Sequence, residues 1–433
     1  MVDFGTAYAK AIVVHFSLAQ AWHVVGAGNI CYGNRQLPAS PVLLPEQRQA
    51  ATEALQQAQE RSLSLCGRRI APRAIIVSVP ADMLTLHTYR WEMKRRHSLS
   101  LIDASEAADA LSQAHSASLS QAALHERTAN PDSQPVWLGT IWAAWFVDEH
   151  NVTSAIGFRG ATLAVSVTQA ITSASAFSSL RSWSSELGVA VVFLPEPLGI
   201  AELLRRRQPR LLLDAGAQRT GIYLQCADGQ FHYSSIPTGG HYFNRWLSLA
   251  GGLSPSRAEK VKLAYAEDHL HHRSSMKVRL IMQRAFAAWA KRLTAALPAV
   301  SGALPGTWVI AGGHSRLPEW AILPGIIANA SMSRLERYPT LELLSFDDCA
   351  GPIVSGPEKL QPCHAVAWGL AQYSVRLSYR AKQAFSSAQY SGQVFKRLGR
   401  KALPDEEQAL MELRQIATLA AKTGFEVPSE WLT

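Results

Sequence analysis

Cysteine is scarce in this sequence and never clustered. The five residues, Cys31, Cys66, Cys226, Cys349 and Cys363, form no CxxC. That argues against a structural zinc site, and an odd, scattered set suits a reducing cytosol better than a disulfide framework. Long apolar runs are absent too: the longest, around Val136 to Val147, is too short to span a bilayer and reads as core. The chain opens Met-Val-Asp-Phe-Gly with neither a basic nor an apolar lead, so no signal peptide is expected. Charge is sparse at 17%, and acid is the scarcer sign, with 33 Asp and Glu against 42 Lys and Arg. The resulting net charge of +9 favours a partner rich in phosphate, whether nucleotide, nucleic acid or anionic membrane, without choosing among them. What is present is apolar material: 48% hydrophobic residues in 433 predict two or three folded domains.

Periodicity predicts alternating strands and helices. Residues 11–14 and 22–27 read as short strands, followed by a Pro-rich loop near Leu37 to Pro45. Glu46 to Leu65 has helical spacing, and Ile75 to Val79 is a β-branched run stopped by Pro80. This order indicates an α/β domain. From about 84 to 166 the character changes to a strand (Met83 to Glu92), a helix near Asp103 to Ala114 and a polar loop with some frayed helix from His115 to Gln134. Strands at Trp137 to Val147 and Ala161 to Val167 complete a small inserted α+β unit. The α/β pattern resumes with a helix near Ala174 to Leu187 and a strand at Val189 to Leu194. A second α/β unit opens at Leu211 to Leu213, with strands at Gly221 to Gln225, Phe231 to Ile236 and Trp308 to Ala311 around a helical stretch, 242–299.

Four glycine-bearing turns stand at strand ends. Asp3-Phe-Gly5-Thr6 leads through Lys10 into a strand, and Leu213-Asp214-Ala-Gly216-Ala-Gln-Arg-Thr220 repeats the strand, Asp, turn, strand order. An Asp there can hold hydrated Mg²⁺, while Gly lets backbone N–H groups approach phosphate; either turn alone reads equally as an ordinary hairpin. Pro237-Thr-Gly239-Gly240 precedes a helix carrying Ala258-Glu259-Lys-Val-Lys262, and Val309-Ile-Ala-Gly312-Gly313-His-Ser315 runs from a strand toward a helix.

In this order the segments resemble the actin, heat-shock chaperone and sugar-kinase superfamily. Asp3-Phe-Gly5-Thr6 and Asp214-Ala-Gly216 match its two phosphate motifs, Phe193-Leu-Pro-Glu196-Pro197 its connecting segment and Val309 to Gly313 its adenosine motif. Within it the Gly239-Gly240 segment, the Ala-Glu-x-x-Lys helix and the position of the insertion resemble FtsA. That resemblance implies a two-lobed, actin-like α/β fold with an inserted SHS2-type α+β subdomain. It implies ATP with Mg²⁺ near Asp3 and Asp214, and Gly5, Thr6, Lys10, Gly216, Thr220, Gly239 and Gly240 around the phosphates. Glu259 and Lys262 would lie near the ribose and base, and Gly312, Gly313 and Ser315 would wall the adenine. It further implies a cytoplasmic division adaptor, peripheral on the inner face of the membrane, that assembles into filaments, recruits the tubulin-like FtsZ and is at most a slow ATPase. Glu196 is the candidate for orienting an attacking water; a solvated Glu before Pro197 is the alternative. Ala217 and Gln218 stand where the family has Gly, Gly221 replaces a common acid and Asn244 a typical Thr, which predicts weak binding or slow hydrolysis. Only Met1-Val2 precede Asp3, so the natural start is expected upstream.

The expected divisions are lobe I at 1–83, the insertion at 84–166, the return of lobe I at 167–208, and lobe II at 209–245. A helical subdomain follows at 246–305, then lobe II with the adenosine motif at 306–370 and C-terminal helices with a basic tail at 371–433. In that tail Val394, Phe395 and Leu398 share a helical face beside Lys and Arg residues, a pattern that fits an anionic membrane surface or the chain's own first lobe. Lys94-Arg95-Arg96-His97 and Arg205-Arg206-Arg207 lack interleaved aromatics, so solvated surface is preferred and no nucleic acid is expected. His269, His271 and His272 likewise read as surface. Two other readings compete with division: a PilM-like scaffold of type IV pilus assembly, toward which Lys10 leans, and a small-molecule kinase of the same superfamily.

Overall fold

A computed structural model describes residues 1–16, 22–32, 43–129, 135–204, 210–226, 229–297, 303–331, 335–346, 353–354, 356 and 358–376. The predicted membrane segment around Phe395, the second tail helix and Arg205 to Arg207 lie outside the described residues.

Two sheets share one plan. In the first, β1 (Val2–Phe4), β2 (Tyr8–Phe16) and β3 (Trp22–Cys31) form an antiparallel meander, and β4 (Ala74–Val79) then adds parallel to β1. Another parallel strand, β9 (Ala190–Pro195), pairs with β4, and β15 (Ile353–Val354) closes the other edge. Lobe II repeats the meander as β10 (Arg210–Ala215), β11 (Thr220–Gln225) and β12 (Phe231–Ile236). There β13 (Thr307–Ala311) and β14 (Thr340–Leu343) add in parallel beside β10. The parallel strands are runs such as Ile-Ile-Val and Trp-Val-Ile, as sheets covered on both faces require. Helix α1 (Pro45–Cys66) lays Ala50, Ala51, Ala54 and Ala58, all buried, over the lobe I sheet.

The insertion runs from β5 (Thr85–Lys94) through α2 (Ala104–Ala129), β6 (Pro135–Val147) and β7 (His150–Val152) to β8 (Thr162–Ser173), with sheet order β5-β8-β6-β7. Two expectations change here. The stretch 115–129 is not a loop: the helix continues through it because Ala107, Ala110, Ala114, Ser118 and Ala122 recur at three- and four-residue spacing and are buried. The expected boundary at 166 falls inside β8, whose ten-residue ladder with β5 reaches Ile171. The insertion also touches lobe II, where Trp142 Nε1 donates to Gly229 O at 2.7 Å and its ring stacks on Phe231.

After α3 (Ala174–Ser185), α4 (Glu196–Leu204) carries the chain toward lobe II, and the helix over 365–376 returns beside it. The two cross without intervening side chains: a Cβ at Gly369 would stand 1.9 Å from Gly199 O. Arg376 clamps Glu202 with two short bonds, 2.6 and 2.9 Å. Lobe II is topped by α5 (Gly240–Gly251), α6 (Pro255–Ala266), α7 (His272–Ala296) and α8 (Leu323–Ser331) around Phe243, Phe286, Trp289 and Trp320.

Candidate functional site

The site is a cleft between the lobes, enclosing about 270 Å³. On its lobe I side β1 ends at a tight turn in which Gly5 N donates to Tyr8 O. Asp3 is 2% exposed, and both of its oxygens are engaged: Oδ1 accepts Ser78 Oγ at 2.7 Å and Oδ2 accepts Lys10 Nζ at 3.0 Å. Burial alone would pull the Lys10 ammonium down; Asp3, with Asp214 and Cys363, outweighs it and holds the group above its ordinary value.

On the other side Asp214 lies at the end of β10, half-buried, with no hydrogen bond to its carboxylate among the described residues. Burial pushes its pKa up, with Lys10 acting in opposition. The turn after it packs on the start of α5: Gly240 N donates to Gly216 O at 2.9 Å and His241 N to Ala217 O at 2.7 Å. The first helical donors are thereby satisfied by the turn itself. Gln218 N reaches across the cleft to Thr6 Oγ1 at 3.1 Å, joining the two turns directly.

Glu196 opens α4 and is 5% exposed, so it is not a solvated residue. Its Oε2 accepts Arg219 Nη2 at 2.6 Å and Ala81 N at 2.9 Å, and its Oε1 accepts Tyr223 OH at 3.1 Å. Burial raises its pKa while Arg219 opposes the shift.

The remaining wall comes from α6 and the turn after β13. Lys262 Nζ donates to Glu259 Oε2 at 2.8 Å and to Gly240 O at 3.2 Å, and Asn244 Nδ2 donates to the same carboxylate oxygen. Burial lowers the Lys262 pKa. Gly312 has φ +94°, and a Cβ there would meet Ala215 O at 2.5 Å, so only glycine fits the turn. Gly313 is open to the cavity, and Ser315 Oγ donates back to Gly312 O at 2.8 Å. His314 is buried, with neither ring nitrogen hydrogen-bonded among the described residues; burial, aided by Lys262, drives its pKa down to about 3.

The lining thus gathers Asp3, Gly5, Thr6, Lys10, Glu196, Asp214, Gly216, Gly240, Glu259, Lys262, Gly312, Gly313 and Ser315 from segments over 300 positions apart. Two candidates stand behind it. Gly239 backs the Gly216–Ala217 turn, and Thr220 is buried with Oγ1 donating to Thr238 O at 2.9 Å. Sequence reading missed Arg219, Tyr223, His314 and Cys363. Only Arg219 carried a signal, as a cation inside the second Asp turn.

The described residues bring no group of three or more His, Cys, Asp or Glu close enough to ligate a metal, and the cation beside Asp3 is the Lys10 ammonium. Among the described residues the Asp214 carboxylate has no hydrogen-bond partner. Of the imidazoles once set aside, His269 is exposed and contacts Glu267 at 3.3 Å.

No protein-family profile matches the chain, and no curated protein matches it. Solved structures do match in fold. One from a PilM-PilN type IV pilus biogenesis complex aligns over 86% of this chain and 96% of its own, at TM-score 0.54 and 15% identity. The ethanolamine utilization protein EutJ from Carboxydothermus hydrogenoformans aligns over 86% and 88%, at 0.44 and 11%. MreB5 of Spiroplasma citri aligns over 45% and 63%, at 0.32 and 14%. The chain has the two-lobed actin-like ATPase fold. Among the described residues no helix is long and apolar enough to cross a membrane.

Proposed function

We propose that this chain is a nucleotide-binding scaffold that holds ATP or ADP between its lobes with little or no turnover. One observation carries the reading: Glu196, the candidate for orienting a water, has both oxygens engaged by Arg219, Tyr223 and Ala81 N. A general base must reach the proton it removes, and this one is held by three donors. The adenosine half of the cleft fits a nucleotide. Gly313 is open for close approach of a flat ring, while Lys262 and Glu259 form a polar edge. The phosphate half fits less openly, since Gln218 N is spent on Thr6 and Lys10 on Asp3. The cavity, about 270 Å³, is close to the roughly 300 Å³ at which small-molecule sites begin. Mg²⁺, where it accompanies the nucleotide, is assigned to Asp214 through water.

As to partners, a role in type IV pilus assembly is preferred over division. Its support is the likeness to the PilM structure along nearly that protein's whole length. The FtsA-like reading, with an FtsZ-type partner and filaments, rests on Gly239-Gly240 and Ala-Glu-x-x-Lys. The kinase reading is weakest, because it needs a catalytic Asp facing a second substrate pocket, and among the described residues the cleft marks no such pocket beside the nucleotide site.

Calorimetry with phosphate-release kinetics tests the proposal. ATP should bind, Asp214→Ala should weaken Mg·ATP binding, and Glu196→Gln should leave an already slow release rate unchanged. A rate that collapses in Glu196→Gln would make the protein a working ATPase, and no ATP binding by the parent would end the nucleotide reading. Binding to PilN, measured beside binding to an FtsZ-type protein, separates the two partner roles.

A further inference from the structure

The Lys94–His97 cluster, unused by the cleft, stands at one end of the inserted subdomain. The segment leaving β5 and the one entering β8 are laced together there. Arg95 N donates to Ala161 O, Ile102 N to Phe158 O, Gly157 N to Ile102 O and Gly160 N to Ser98 O, at 2.8 to 3.2 Å. Contrary to the surface reading of the cluster, Arg95 is buried. Its guanidinium binds Glu106 through two nitrogens at 2.6 and 2.9 Å and the carbonyls of Gly160 and Ser100 at 2.9 and 3.2 Å. Ile102 and Ala155 anchor both segments in the subdomain core. The result is a rigid, preformed pair of loops.

These loops nevertheless turn large apolar side chains to solvent. Leu99 is 85% exposed, Leu101 52%, Ile156 48% and Phe158 47%. A cluster of this kind, fixed rather than floppy, marks an interaction surface. Around it several carboxylates have a hydrogen-bond or ion-pair partner, whereas three cations have none among the described residues. Asp103 Oδ1 caps α2 through Glu106 N, Glu106 holds Arg95, and Asp148 accepts Ala161 N, Thr162 N and Thr162 Oγ1. Glu149 pairs with Arg90 at 2.5 Å. Lys94, Arg96 and Arg159 are exposed and have no ion pair among the described residues.

We propose that this two-loop tip docks on an anionic lipid surface. Leu99, Leu101, Ile156 and Phe158 enter the headgroup boundary, while Lys94, Arg96 and Arg159 meet lipid phosphates. A partner helix is disfavoured, because it needs a groove and these side chains project outward; pairing of another chain along the edge of β5 is an outcome that the test separates. The inference is independent of what the cleft binds and of the basic tail.

The test is flotation of the full chain with vesicles of phosphatidylcholine alone or with phosphatidylglycerol. The parent should float only with the anionic vesicles. Arg96→Glu with Arg159→Glu should lower the membrane partition coefficient roughly 25-fold or more, at about fivefold for each basic residue lost, and Leu99→Ser with Phe158→Ser should separately lower it by removing the inserted apolar side chains. Unfolding midpoints should stay unchanged for Leu99→Ser alone and for the Arg96→Glu, Arg159→Glu pair, whose side chains are exposed; Phe158 is half-buried, so the double Ser variant is compared at a temperature below its own midpoint. Three results would overturn the proposal. The parent does not float; both variants float like the parent, which puts attachment in the tail; or the variants merely dissociate an oligomer seen by size exclusion, which makes the tip a protein interface.

Discussion

The two lobes are built on one strand plan and both begin with Asp at the end of the first strand, yet they treat that Asp oppositely. In lobe I the carboxylate of Asp3 is sealed, with Ser78 on one oxygen and Lys10 on the other. In lobe II Asp214 stands half-buried and unpartnered, and the cation of its turn, Arg219, looks away toward Glu196 and Asp82. A repeated backbone thus carries a closed charge pair on one side and an open carboxylate on the other. The difference bears on the proposed function: Lys10–Asp3 is a closed pair within the fold, and Asp214 is the carboxylate to which the proposed nucleotide site assigns Mg²⁺.

The largest expected effect breaks this contrast at its closed end. Lys10→Met leaves Asp3 charged, buried and without its ammonium, which should cost roughly 3–5 kcal/mol in urea unfolding. Asp3→Asn combined with Lys10→Met should recover most of the loss. Asp214→Asn, which removes a carboxylate that burial already disfavours, should be neutral or slightly stabilising. Equal costs for Lys10→Met and Asp214→Asn would mean that the two turns are not energetically distinct.

Much of this contrast was legible in the sequence, and part was not. The duplicate strand order showed in paired apolar runs each ending at Asp, because buried parallel strands must be apolar throughout. The cleft residues were legible for the same reason: glycine at a strand end leaves few backbone alternatives. The long helix α2 was misread because its buried face is made of Ala and Ser, whose small side chains pack flat on a sheet but score as polar or neutral in a window. The fates of Lys10, Glu196 and Arg219 were not legible. Whether a charged group faces a ligand or another side chain depends on contacts between segments as far apart as Ala81, Glu196 and Tyr223, and no local pattern encodes them.

A second, smaller effect compares the two buried histidines that flank the cleft. His314 follows the lobe II adenosine-type turn, and burial takes its pKa to about 3; His364 precedes the 365–376 helix, and burial takes it to about 4. Both folded values lie below the unfolded value near 6.5, so the unfolded chain binds protons first. Their contribution to stability is therefore complete above pH 6.5 and is lost as pH falls toward 4 and then 3. Each histidine adds a slope of up to about 1.4 kcal/mol per pH unit inside that window. His314→Gln should remove one such slope and leave stability at pH 8 nearly independent of pH, as in the parent. His364→Asn should likewise remove its slope but keep more of the parent's stability at pH 8, because Gln361 N donates to the ring Nδ1 at 3.2 Å and a side-chain oxygen can accept in its place. Urea midpoints between pH 4 and 8 measure both; parallel profiles for parent and His314→Gln would show that the ring binds protons equally in the folded and unfolded chain, against the burial argument.

The smallest expected effect tests the one bond that ties the two Asp turns together. Thr6 Oγ1 accepts Gln218 N at 3.1 Å, so a backbone donor of the lobe II turn is spent on a lobe I hydroxyl. A phosphate entering the cleft competes for that donor, and an ionised acceptor makes the stronger bond. Thr6→Val keeps the shape and removes the acceptor. The ligand-free protein should lose about 1 kcal/mol of stability, the usual net worth of one neutral hydrogen bond. ATP, no longer displacing the hydroxyl, should bind up to about fivefold tighter, since the same free energy is returned to the ligand. Calorimetry on parent and variant reads this directly. A tenfold loss of affinity instead would show that the Thr6 hydroxyl itself contacts the nucleotide, and the two turns would then act as one clamp rather than as a latch that the ligand must open.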